Sequence, residues 1–284
     1  MTDQASRFAG SIPAKYDSGL GPYLFADYAT DLAQRTAACK PSRVLELAAG
    51  TGIVTRLLRD ALPSASELIA SDLNPPMLEI ARRKFAGGEK IEFRRADATA
   101  LPFRDEEFDA AVCQFGVMFF PDKAKAYHEV HRVLMPGGTY YFSVWDSFAF
   151  NPFAQIVQET VARFFQEDAP TFYTVPFGYH RIDDIKAALV EAGFEDIAAH
   201  VLRIDKSIPK ARQFAEGLIL GNPIVEEIQM RGAVDPEAIV KALTTALQAA
   251  FGPDPGCMPL QAIVFRACKR EDRGWGPLAA VPAL

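Results

Sequence analysis

The chain has 284 residues, 49% apolar and 23% charged, with a net charge of −6 and a pI near 5.4. That is enough chain to bury about 70–75% of its unfolded surface without disulfide or metal staples. No apolar run reaches the roughly 18 residues of a membrane span, and the 30 Lys and Arg form no cluster, which argues against a nucleic-acid partner. Cys39, Cys113, Cys257 and Cys268 are scattered with no CxxC pair, so neither a zinc site nor a disulfide framework is expected. The opening MTDQASRFAG lacks the basic-then-apolar pattern of a secretory signal, and the expectation is a cytoplasmic protein.

Residues 1–40 are expected to form a helical cap. From residue 42 to 145 short apolar runs at 43–47, 67–71, 90–94, 109–114 and 139–145 alternate with helix-period segments. Met77, Leu78, Ala81 and Phe85, and later Tyr127, Val130, Val133 and Leu134, are spaced for one buried helical face. Such alternation predicts parallel strands joined by crossover helices, an α/β doubly wound sheet of seven, mainly parallel, strands. Asn74 with Pro75 opens one helix, and Pro136-Gly137-Gly138 is expected as a turn that ends a helix and launches the fifth strand. A helix at 182–192, capped by Gly193, precedes a sixth strand near 195–204, and a last strand lies near 260–267.

Two segments break the rhythm, and they divide the chain as 1–40 cap, 41–146 cofactor-binding core, 147–180 lid, 181–205 core helix and strand, 206–256 helical cap, 257–270 last strand and 271–284 tail. The 148–180 stretch holds seven Phe and two Tyr in 33 residues, far above the 11% aromatic content of the whole. These rings either build a core between cap and sheet or line a site for an apolar or aromatic molecule.

Residues 43–52 carry a strand that ends in small residues, Ala48, Gly50 and Gly52, and runs straight into a helix at 53–60. Small residues there clear the crevice above the strand ends, where an open α/β sheet binds its ligand. Asp72 ends the next strand, where a carboxylate can accept both hydroxyls of a ribose. A dinucleotide frame fits poorly: starting at Gly50 its third position is Thr55, and starting at Ala48 the first and third are Ala48 and Ile53. Glu46, just inside the strand, suits a cationic ligand better than a pyrophosphate.

These residues belong to a longer set: VLELAAGTG at 44–52, ASDLNPPM at 70–77, ADA at 96–98 with LPF at 101–103, FDAAVCQ at 108–114 and RVLMPGG at 132–138. As a set they resemble the class I S-adenosylmethionine-dependent methyltransferases, and within them the small-molecule group (methyltransferase type 11) that includes the ubiquinone/menaquinone biosynthesis enzymes. The resemblance spans about residues 40–145, and it departs from the pattern at Ala48, where many members have Gly. It implies that S-adenosylmethionine is the cofactor and S-adenosylhomocysteine the product. It also implies that Glu46 and the backbone of Ala48, Gly50 and Gly52 hold the methionine end, and that Asp72 takes the ribose. Leu73 and Met77 would pack on the adenine, Asp97 and Ala98 would read its edge, and Gln114 and Phe115 would lie beneath the sulfonium. Tyr16, or more weakly Tyr23, would cover the cofactor.

Two motifs are decoys. Asn74-Pro75-Pro76 follows the second strand and ends in Met77, unlike the aromatic-ended motif after the fourth strand in nucleobase-methylating enzymes. In His128-Glu129-Val130-His131 the histidines are three apart, not the four of a zinc-binding HExxH, and no metal is expected. If the acceptor needs a general base, His180 is the first candidate, followed by Asp146 and Tyr179. The reading is a methyltransferase acting on a small, apolar or aromatic molecule, without nucleic acid or membrane span, as a monomer or homodimer. The alternatives are an NAD(P)-dependent oxidoreductase and a non-catalytic S-adenosylmethionine-binding regulator.

Overall fold

In a computed structural model, residues 8, 10–232 and 234–271 are described. Seven strands form one sheet: β1 Arg43–Glu46, β2 Glu67–Asp72, β3 Ile91–Arg95, β4 Phe108–Gln114, β5 Leu134–Trp145, β6 Phe194–Ile208 and β7 Gly256–Lys269. Their order is β3-β2-β1-β4-β5-β7-β6, with the first five parallel and β7 antiparallel to both of its neighbours. This is the doubly wound, mainly parallel sheet expected from the alternation. Its strand order reverses between β1 and β4, which opens a crevice at their carboxyl ends.

Eight of the helices are α1 Ile12–Gly19, α2 Ala26–Ala38, α3 Ile53–Ala61, α4 Pro75–Arg82, α5 Lys123–Val133, α6 Pro152–Ala162, α7 Ile182–Glu191 and α8 Ala211–Leu220. The series closes with α9 Ile224–Met230 and α10 Pro236–Phe251. Alternate strand residues serve opposite layers. Val44, Ala110 and Val112 face Leu32 and Leu58 of α2 and α3, while Leu45, Ala111 and Cys113 face the layer that holds α5 and the cap. The rings of the 148–180 stretch share that second core. Phe153 and Phe177 pack with Trp145 of the sheet, and Phe153 also meets Phe214 of α8. Helix α8 packs on both α10 and α1, so the N-terminal helices and the second insertion form one layer over the strand ends.

Pro136-Gly137-Gly138 differs from its expected role. It does not separate helix from strand, because β5 begins at Leu134, which already pairs with Phe108. The next pair is Ala110 with Thr139, so residues 135–138 loop out opposite Asp109. A proline without an N–H and two glycines suit such a bulge inside a strand. Gly193, at φ +95°, follows α7 as expected. The tail beyond residue 271 lies outside the described residues.

Candidate functional site

The carboxyl ends of β1, β2 and β4 converge on one cleft of about 810 Å³, a figure that includes its open mouth. The loop after β1 forms its floor. Ala48, Gly50 and Gly52 all adopt positive φ, +49°, +56° and +80°, which curls the backbone so that its amides turn toward the crevice. Beside Ala48 lies Gly116, from the end of β4, where a Cβ would come within 2.5 Å of the Ala48 Cβ. Two strand ends can approach this closely only with a hydrogen at one of them.

Asp72 joins β2 to that loop. Its Oδ2 accepts the Gly50 amide at 2.9 Å, and its Oδ1 accepts the Asn74 amide at 2.7 Å. Burial raises its carboxyl above the usual range, and the Asn74 and Gly50 amides oppose that shift. Oδ1 also accepts from the Asn74 side-chain amide at 3.3 Å, so the lone pair left for a ligand hydroxyl lies on Oδ2. Glu46 is 1% exposed, and its Oε2 has no hydrogen-bond partner among the described residues. Burial pushes its carboxyl up to about 8, and the nearby Asp72 charge adds to the rise, although Thr55 opposes it. A buried acid with an unmet oxygen beside curled backbone amides is a ready partner for an ammonium group, as the methionine end of the cofactor requires.

The structure brings most of the expected cofactor residues together. Tyr16, Ala48, Gly50, Asp72, Leu73, Met77, Asp97, Ala98, Gln114 and Phe115 all line the cleft, and Glu46 lines a smaller recess that shares Tyr16, Ala48, Gly50 and Gln114 with it. Leu73 is 44% exposed at the cleft. Asp97 Oδ1 accepts both the amide and the hydroxyl of Thr99, so this acid also holds its own turn. Gln114 donates to the Phe25 carbonyl at 3.2 Å and keeps a buried, unpartnered Oε1. Gly52 opens α3 behind the loop and does not line the cleft. Tyr23 does not either: its hydroxyl donates to Gln213 and its ring packs on Phe214 in the cap.

Several lining residues carried no signal in the sequence. Phe8 arrives from the N-terminal segment, with its amide on the Asn74 side chain at 3.4 Å, which gives the decoy Asn-Pro-Pro motif a local role. Phe119 and Phe120 lie on the short helical turn after β4. Behind Phe115, Tyr16 and Phe119 the cleft meets a second chamber of about 440 Å³, walled by aromatic rings from the sheet and the lid. Phe153, Phe172 and Phe177 from the 148–180 stretch face it and belong to the core at the same time.

None of the three candidate bases lines this chamber. Asp146 is buried with Oδ1 on the Ser147 amide and Oδ2 on the Gln261 side chain, clamping β5 to β7. The Tyr179 hydroxyl meets that of Tyr127 at 3.1 Å. His180 Nδ1 lies 3.0 Å from the Phe177 carbonyl. Glu129 of the other decoy motif is held by the Leu101 amide and Arg132.

With that geometry in hand, similarity to known proteins gives the cleft its class. A methyltransferase domain family matches residues 45–142, the stretch from β1 to β5 that builds the cleft. Residues 45–142 are thus similar to a methyltransferase domain. The demethylmenaquinone methyltransferase of Thermus thermophilus is 49% identical over 111 residues, 39% of this chain and 49% of that relative, so the match spans about half of the relative's length. In fold, the YcgJ protein from Bacillus subtilis superposes with a TM-score of 0.56, covering 86% of this chain and 99% of its own at 22% identity. A phosphoethanolamine N-methyltransferase 2 from Haemonchus contortus, solved with phosphomonomethylethanolamine and S-adenosylhomocysteine, gives 0.58 at 16% identity, covering 91% of this chain and 57% of its own. Among the described residues no helix is long and apolar enough to cross a membrane.

Proposed function

We propose that this protein transfers a methyl group from S-adenosylmethionine to a small, apolar or aromatic acceptor held in the ring-walled chamber. The observation that carries the reading is the junction at Phe115. Its ring closes the cofactor cleft on one side and the acceptor chamber on the other. In this reading Glu46 and the Ala48–Gly50 backbone bind the methionine end, Asp72 binds the ribose, Leu73 and Met77 flank the adenine, and Asp97 with Ala98 reads its edge. Gln114 and Tyr16 border the point of transfer.

The cofactor supplies an electrophilic methyl on a good leaving group. What the chain supplies is alignment and exclusion of water, through apolar walls that leave few polar groups to compete for the methyl. The chamber walls carry no carboxylate, imidazole or ammonium side chain among the described residues. An acceptor that is nucleophilic without a protein base therefore fits best, and His180, Tyr179 and Asp146 are left as scaffold. The aromatic walls and net charge of −6 favour a small molecule over a nucleic acid.

Calorimetry with S-adenosylhomocysteine tests the cofactor half. Binding in the micromolar range that Asp72→Ala weakens at least tenfold is expected, and an absence of heat overturns it. Mass-spectrometric detection of methylated products from a panel of small aromatic acceptors tests the other half. Tight cofactor binding with no transfer to any member would favour the regulator alternative.

A further inference from the structure

The chamber is lined mostly by aromatic and aliphatic side chains, with the polar ends of Tyr16, Tyr173 and Trp145 on otherwise apolar rings, and Asn222 is its one amide among the described residues. Asn222 sits at the corner between α8 and α9, 6% exposed, and lines the chamber but not the cofactor cleft. Its side-chain nitrogen donates to the Tyr173 hydroxyl at 3.2 Å and to the Leu218 carbonyl at 3.3 Å. The Tyr173 hydroxyl in turn spends its own hydrogen on the same Leu218 carbonyl, at 2.8 Å. Both amide hydrogens are thus committed, and the triangle settles which way the amide points. A flipped Asn222 would set its oxygen against the Leu218 carbonyl, acceptor against acceptor.

What remains is Oδ1, which has no hydrogen bond among the described residues. We infer that Asn222 is a specificity-determining residue that selects acceptors bearing a neutral hydrogen-bond donor, a phenolic or alcoholic hydroxyl or a ring N–H, on an otherwise apolar body. This rests on the chamber being the acceptor site. A ligand that presents an ether or carbonyl oxygen there meets a second acceptor and leaves both unsatisfied. One that presents a carboxylate adds an uncompensated charge among aromatic walls. Discrimination by hydrogen bonding in a mostly apolar pocket is stronger than discrimination by shape, because the wrong ligand leaves a polar atom of the site unpaired. Nothing in the 45–142 domain contributes this group. It comes from the second insertion, and Tyr173 that locks it comes from the first.

The test is calorimetric titration of two matched pairs, p-cresol against 4-methylanisole and indole against 1-methylindole, into protein saturated with S-adenosylhomocysteine and into the protein alone. The donor member of each pair should bind about tenfold more tightly, the usual size of the effect of one stranded buried acceptor. Asn222→Leu should erase the preference by weakening the donor member, with S-adenosylhomocysteine affinity unchanged because Asn222 does not line its cleft. Tyr173→Phe frees one amide hydrogen and should narrow the preference by strengthening the ether. It carries the test on its own if the leucine variant does not fold. Equal affinities within each pair, no binding of either donor, or a preference untouched by Tyr173→Phe overturns the assignment. If S-adenosylhomocysteine fails to bind while the donor preference persists, the methyltransferase reading falls and the role of Asn222 stands.

Discussion

The Phe115 ring lies flat on the Trp145 indole, centroids 4.0 Å apart and planes 5° from parallel, so the ends of β4 and β5 are fastened where the cleft meets the ring-walled chamber. Phe115 holds this position from a backbone at φ +52°, a conformation that costs a non-glycine residue about 1 kcal/mol or more. The neighbouring residue must be Gly116, so the chain cannot relax by moving the bulk one place along.

That arrangement makes Phe115 a separator of two functions. Phe115→Leu should keep the wall apolar but lose the flat contact. The expected result is a fall of about tenfold in kcat/KM for an aromatic acceptor, with the dissociation constant for S-adenosylhomocysteine changed less than about threefold. Steady-state kinetics with one good acceptor and calorimetry with the product separate the two effects.

Glu46 couples cofactor binding to pH. Its carboxyl titrates near 8 in the empty site, so below that value it is largely neutral. A cationic methionine end binds the ionised form, so affinity should rise by up to about tenfold per pH unit between pH 6 and 8 and then level off. Glu46→Gln should flatten this rise and lower affinity at pH 8. Titrations in buffers of different ionisation enthalpy should show proton release with the wild type alone.

The same residue destabilises the free protein. For an acid raised on folding, the cost is absent below the unfolded pKa near 4.5, grows through the interval and is complete above the folded value near 8. Glu46→Gln should therefore be more stable than the wild type by about 1–3 kcal/mol at pH 8 and indistinguishable near pH 4.5. Urea melts without ligand at the two pH values check it.

Gly116 and Ala48 should behave as a coupled pair. Gly116→Ala drives a methyl into the Ala48 Cβ and the Cys113 sulfur, 2.5 and 2.8 Å away, and should cost about 1–3 kcal/mol. Ala48→Gly removes one of those obstacles and relieves a left-handed alanine, so alone it should change stability by less than about 1 kcal/mol. The double variant should recover part of the loss in a double-mutant cycle, whereas additive effects would exclude the contact.

Arg59 is a buried cation with no carboxylate partner among the described residues. Its guanidinium donates to the carbonyls of Ser66, Lys90, Leu62 and Pro63, gathering the end of α3 and the approach to β2 and β3. Arg59→Met fills the space but strands those oxygens, and a loss of about 2–4 kcal/mol in chemical denaturation is expected with cofactor affinity little changed.

The sheet was legible because each of its signals is local. The continuous apolar runs of β1 and β4, the small residues after β1 and the acid that ends β2 are each contained in a strand or a turn, and composition and spacing report them directly. Pro136-Gly137-Gly138 misled because those residues suit a turn and a bulge equally well. Only the pairing of Leu134 with Phe108 distinguishes the two. The bases were illegible for a different reason. Asp146, Tyr179 and His180 have reactive side chains, but what each can do depends on partners such as Gln261, Tyr127 and Phe177, which no spacing rule brings near.

By itself the sequence determined the alternation of strands and helices, the glycine loop and the two acids at the strand ends, which are matters of local conformation and short crossovers. The tertiary structure decided the strand order and the ring-walled chamber. Its walls come from the N-terminal segment, β4, β5 and both insertions, and Tyr173 and Leu218, 45 residues apart in the chain, hold the Asn222 amide from two sides. The net charge of −6 and the aromatic-rich composition pointed toward a small molecule. Only packing could say which of those rings fill the core and which face the chamber, because both kinds of ring are buried by the same hydrophobic effect.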